Sequence, residues 1–187
     1  MKIFTLKACL LTLSLFVLGL GVHAQTKKKG DTITTEPKLV VTKLKIGEGE
    51  TFEVRGKASY TLTAANSDDS LAGVVTYTLP DDARNKIAQM KNIAVAKVPT
   101  TVTQKDVVST YQKLTECPVL HLDFPAMDLV IEGVTLHFNR FVLDVKEGPN
   151  PITLYMCTTA RQIKNGLPRR GPIRRINEII NGEETQQ

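Results

Sequence analysis

Residues 38–64 read KLVVTKLKIGEGETFEVRGKASYTLTA, and their alternation decides the fold class. Val40, Leu44, Ile46, Phe52, Val54, Ala58, Tyr60 and Leu62 all fall on even positions, with mostly Lys, Glu, Arg, Ser and Thr between them. In a strand successive side chains point to opposite faces, so this period of two predicts half-buried antiparallel strands with one apolar face. Taking Gly47 to Thr51 as a five-residue loop sets Ile46 opposite Phe52 and Leu44 opposite Val54 in a hairpin. The glycines at 47 and 49 belong to that turn. They lack the third glycine and following helix of a dinucleotide loop, and no phosphate-loop ending G-K-[ST] is present.

Further along, Asn66 to Ser70 (NSDDS) is a turn cluster, and Val75, Tyr77 and Leu79 give a third strand over 71–79. Pro80, Asp81 and Asp82 open a helix carrying Ala83, Ile87, Met90 and Ala94, because proline suits the first turn and carboxylates suit the positive end of the helix dipole. A short strand is expected near 93–98. Thr103 with Asp106 resembles a capping pair, and Val107, Tyr111 and Leu114 extend it into a helix reaching Thr115.

The remainder reads as β-rich. Leu120, Leu122 and Phe124 share one face of a strand, and Leu129 to Ile131 form a short one. Val134, Leu136 and Phe138 are even while Phe141, Leu143 and Val145 are odd, so the parity switches at Asn139 and Arg140. A two-residue turn pairing Phe138 with Phe141 accounts for the switch, and so does a β-bulge. Ile152 to Thr158 reads as a last strand and 164–172 as a loop. Ile173, Ile176 and Ile180 then stand at helical spacing. Together these elements predict an α+β domain, an antiparallel sheet with one or two helices on one face and flexible basic ends.

Ahead of this domain lies a leader with Lys2 and Lys7, an apolar run from Ala8 to Leu20, and Val22-His23-Ala24 as a cleavage signature. The run is shorter than the about 20 residues a spanning helix needs. Cys9 precedes most of it, unlike a lipoprotein's modified cysteine. The organisation expected is a signal peptide at 1–24, a flexible basic segment at 25–37, one domain at 38–160 and a basic tail at 161–187 containing a short helix. Export to a periplasmic or extracellular space follows. Cys117 and Cys157 are then the remaining cysteines, and a single disulfide closing their loop is the simplest account. Buried free thiols or half of a metal site are the other readings.

The net charge of +5 falls to +3 without the leader, because residues 1–24 hold two basic and no acidic side chains. Residues 31–160 carry 13 basic and 16 acidic groups, whereas 161–175 contain Arg161, Lys164, Arg169, Arg170, Arg174 and Arg175 and no carboxylate. Guanidinium forks grip carboxylate or phosphate bidentately, so Arg169, Arg170, Arg174 and Arg175 are the expected partner-binding residues. No aromatic stacking platform accompanies them, which argues against nucleic acid and for an acidic protein or anionic envelope polymer.

For chemistry, His121 and Asp123 share one face of a strand, and His137 could join them from a neighbour to hold a metal. The same alternation explains them as water-facing residues opposite Leu120, Leu122 and Phe124. No G-x-S-x-G elbow is present, and no catalytic residue and no cofactor is assigned. The leading expectation is a non-catalytic exported binding module. The alternative is a metal-dependent hydrolase centred on His121, Asp123 and His137.

Overall fold

The computed structural model describes residues 30–46, 49–112 and 117–183; the expected leader at 1–24 and the lysines at 27–29 lie outside the described residues. Among the described residues eight antiparallel strands form one sheet: β1 Lys38–Lys45, β2 Thr51–Ala65, β3 Ser70–Thr78, β4 Thr101–Tyr111, β5 Val119–Phe124, β6 Met127–Ile131, β7 Val134–Phe138 and β8 Phe141–Lys146. Three helices accompany them: α1 Asp81–Lys91, α2 Pro151–Lys164 and α3 Arg170–Ile180. The strand order is β6-β7-β1-β2-β3-β4-β5-β8.

That order and the chain's short connections force the sheet to curl. Phe138 ends β7 and Phe141 begins β8, so three Cα steps, at most about 11 Å, join strands six places apart in the sheet. In a flat sheet those six places would span about 29 Å. Phe124 in β5 and Met127 in β6 repeat the same constraint. The sheet therefore rolls into a half-barrel, and the expectation of an α+β domain with one or two helices laid on one face is corrected. Two bulges add curvature, one where β2 shifts register against β3 between Leu62 and Ala64, one where β4 shifts against Gly73 and Val75 with Asp106 at φ 56°.

Rolling brings side chains of distant strands together on the concave side. Tyr60 of β2 meets Phe124 of β5 edge-on at 4.9 Å, and Tyr77 of β3 meets Phe138 of β7 at 4.8 Å. Phe124 and Phe141 stack at 4.8 Å, and Phe138 and Phe141 lie 5.8 Å apart. Tyr77 crosses over Gly56, where a Cβ would fall 2.4 Å from its ring; only glycine leaves that space. Its buried hydroxyl accepts from the Gly56 N–H at 2.8 Å and reaches the Val40 carbonyl at 3.2 Å, so one phenol ties three strands. Burial raises the pKa of that phenol. Helices close the concave side with Ala83, Ile87, Ile152, Met156, Ile173 and Ile176, all buried in one core.

Several local expectations change. The β1–β2 hairpin buries the predicted even face, but Leu44 pairs with Phe52 and Thr42 with Val54, two residues from the predicted register. Residues 101–111 are a strand, not a helix: Thr101, Val102, Thr103, Val107, Val108 and Thr110 are β-branched, and they pair along β3. The end of that predicted helix, 113–116, lies outside the described residues. The strand expected near 93–98 is a single 3₁₀ turn at Val95–Lys97. Residues 152–158 belong to α2, because Asn150 caps it by accepting from the Ile152 N–H at 2.9 Å and Pro151 occupies its first turn. The parity switch at Asn139 and Arg140 is neither a hairpin turn nor a bulge. It is the crossover between the sheet's two ends, where both strands must present their apolar residues inward.

The ends are not loose among the described residues. Thr35 N–H donates to the Tyr60 carbonyl at 2.9 Å and Leu62 N–H to the Ile33 carbonyl at 3.0 Å, so the segment before β1 lies along β2 where β1 has ended. At the other end α3 packs on α2 and β2. Cys117 and Cys157 form a disulfide, joining the approach to β5 to the buried face of α2 across 40 residues of sequence.

Candidate functional site

A concavity near the predicted arginines lies between α3 and the β2–β3 turn. Local bonds build that turn: Asn66 N–H donates to the Ser70 carbonyl at 2.8 Å, and the Asp68 carboxylate accepts from Ser70 Oγ at 2.6 Å. Asp69 follows in the left-handed region at φ 70°, a conformation aspartate tolerates better than most residues. Across from it, α3 buries Ile173 and Ile176 and turns Asn177 toward the end of β2. The Asn177 carboxamide accepts from Ala65 N–H and donates to Ala65 carbonyl, both at 2.8 Å, copying the pairing of a neighbouring strand. Arg169 closes the arrangement by donating from Nε to Asp69 Oδ1 at 2.6 Å.

Between these parts lies an open cleft of about 1030 Å³. Its charged lining is Asp69, Glu178 and Glu183 against Arg169, Arg170 and Arg174. The arginines are not equivalent. Arg169 is spent on Asp69, and Arg174 Nε lies 3.4 Å from Glu178 Oε1. Arg175 does not line the cleft; its Nη1 donates to Glu178 Oε2 at 2.9 Å. Arg170 is exposed on the first turn of α3 and has no ion pair among the described residues. Asp69, Asn177 and Glu178 were invisible in the sequence as site residues. Asp69 and Arg169 are 100 residues apart, and only the packing of α3 on the hairpin end brings them together.

His121, Asp123 and His137 are not brought together. His121 and Asp123 lie on β5 and His137 on β7, strands five places apart in the sheet. His121 Nδ1 contacts Asp144 Oδ1 at 2.7 Å, His137 Nδ1 contacts Asp128 Oδ1 at 2.7 Å, and Asp123 takes the Arg140 guanidinium in a two-bond fork with Nε at 2.8 Å. Each group thus has its own partner, and among the described residues no three His, Cys, Asp or Glu side chains are placed to hold a metal. Asp144 also accepts from Lys38 Nζ at 2.9 Å, linking β8 to β1 across the curl. Burial pushes the Asp144 carboxyl up, but the bonds from Lys38 and His121 outweigh it and hold it below the usual aspartate value.

The hydrogen bonds from Arg140 hold the Asp123 carboxyl below its ordinary value as well. A folded pKa below the unfolded one gives stability that is present above the unfolded value, near 3.9, and is lost as pH falls through the folded value. Denaturant unfolding at about pH 5 and about pH 3 should therefore show a larger loss for the wild type than for Asp123→Asn. An equal loss in both would deny Asp123 this role.

Among the described residues no helix is long and apolar enough to cross a membrane. Comparison with known proteins supplies no relative to reason from: no family model matches the chain, and no curated protein or solved structure does either.

Proposed function

We propose that the chain is an exported, non-catalytic binding module that receives an acidic segment of a partner protein in the cleft between α3 and the β2–β3 turn. The observation that carries this reading is Arg170, a guanidinium without an ion pair among the described residues at the rim of a cleft of about 1030 Å³. That volume suits a peptide-sized ligand. The groups converging on it are recognition groups: guanidinium, carboxylate and carboxamide. Asp69 and Glu178 already hold Arg169 and Arg174, which leaves Arg170 to meet an incoming carboxylate. Export is supported by the leader pattern at 1–24 and by the Cys117–Cys157 disulfide, a bond that persists in oxidising compartments.

Poly-L-glutamate serves as the probe. Its binding should weaken with added salt, and Arg170→Ala/Arg174→Ala should reduce it by about tenfold or more, since a hydrogen bond to a charged group contributes about 1.5–3 kcal/mol. Binding that is unchanged in the double variant would reject the cleft as the site.

A further inference from the structure

The convex side of the half-barrel carries a second surface, unrelated to the cleft. In β1 the residues facing outward are Leu39, Val41, Lys43 and Lys45, all exposed, while Val40, Thr42 and Leu44 are buried on the other side. The register places Lys57 of β2 beside Leu39, Arg55 beside Val41 and Glu53 beside Lys43. Leu39 is 60% and Val41 43% exposed, and on β6, beyond β7, Val130 is 70% exposed. Lys43, Lys45 and Lys57 have no ion pair among the described residues, whereas Arg55 holds Glu53 at 2.8 Å. On the flanking strands Asp128 is occupied by His137. Two adjacent aliphatic side chains thus stand among four cations and one carboxylate, on a face that no helix among the described residues covers.

We propose that this convex face of β1 and β2 docks the protein on an anionic lipid surface. Charge complementarity selects a negative partner. Each Lys or Arg near an anionic membrane adds to the attraction, and the effect is screened within about 10 Å at ordinary salt. The exposed aliphatics select lipid over a soluble polyanion. Leu39 and Val41 gain by entering the boundary between headgroups and acyl chains, while a polyanion in water offers them nothing. Lysine suits this role because its apolar stem lies along the interface while its ammonium stays at headgroup level. The curl of the sheet turns this face away from the core, so docking leaves the cleft at α3 free for its own ligand.

The test is co-sedimentation of the exported, full-length processed protein with phosphatidylcholine vesicles, with and without phosphatidylglycerol. Binding is expected to require phosphatidylglycerol and to fall with salt. Lys43→Glu/Lys57→Glu should reduce it by about tenfold or more. Leu39→Ser/Val41→Ser should reduce vesicle binding several-fold while its thermal unfolding midpoint stays that of the wild type, since both side chains are already exposed. Arg170→Ala/Arg174→Ala should sediment as the wild type does. No dependence on phosphatidylglycerol, or undiminished binding by the lysine variant, would overturn the proposal. Undiminished vesicle binding by the Leu39 and Val41 variant would overturn it too, and would assign the face to an acidic protein surface.

Discussion

Replacing Phe138 with alanine is expected to destabilise the protein by about 3–5 kcal/mol, the range for truncating a fully buried phenylalanine. Phe138 is wholly buried, stands edge-on to Tyr77 and touches Phe141. The effect should reach the upper part of that range because of where the ring sits. Phe138 ends β7 three residues before β8 begins, so it fills the seam where the ends of the sheet approach without pairing. The end strands β6 and β8 share no backbone pairing there, and the ring contacts hold the curl beside the Lys38–Asp144 bond. Guanidinium unfolding followed by circular dichroism measures the loss. A change below about 1 kcal/mol would mean that the seam is held by something other than the aromatic cluster.

Removing the Cys117–Cys157 bond is expected to cost about 3–4 kcal/mol, the chain-entropy value for a closed loop of this length. The bond fastens α2 to the segment entering β5, and α2 in turn carries α3, so the cleft depends on it. Cys117→Ser is the better variant, because Cys157 is buried on α2 and its free thiol packs as a small apolar group. Reduction of the wild-type protein should lower the unfolding midpoint by the same amount as Cys117→Ser. A midpoint unchanged by either would show that α2 is held by packing alone.

The strands of 38–79 were legible in the sequence because a curled sheet buries one face continuously, and Val40, Leu44, Val54, Ala58, Tyr60 and Leu62 record that face as strict alternation. The helix after Pro80 was legible from its first-turn carboxylates and apolar spacing. Two of the elements that were read wrongly went wrong for definite reasons. Val107 and Tyr111 are four residues apart, a spacing that shares a face in a helix and in a strand alike, so the stripe did not discriminate. The β-branched content of 101–110 was the better signal. In 152–158 the β-forming residues Ile152, Thr153 and Tyr155 obscured Asn150-Pro151, a helix cap followed by a first-turn proline. Burial of Ile152, Met156, Cys157 and Ala160 on one helical face overrides that local preference.

Closure of the half-barrel was recorded in the sequence only as the parity switch at Asn139 and Arg140. Nothing local distinguishes a turn from a crossover, because that distinction depends on β7 pairing with β1 and β8 with β5, strands that lie elsewhere in the chain. The site divides in the same way. Arg169, Arg170 and Arg174 stood out as cations without neighbouring acids, yet two of them meet carboxylates in the fold. Charge runs report composition; the cleft needs Asp69 and Asn177, placed by tertiary contacts.

Isotope-labelled protein titrated with poly-L-glutamate, with amide shifts followed by NMR, tests the cleft most directly. Shifts concentrated at residues 65–69 and 166–181, absent in Arg170→Ala/Arg174→Ala, are the result expected. Shifts spread over Lys43, Lys45 and Lys57 with residues 166–181 unmoved would contradict it, and would leave the convex face as the protein's anion-binding surface.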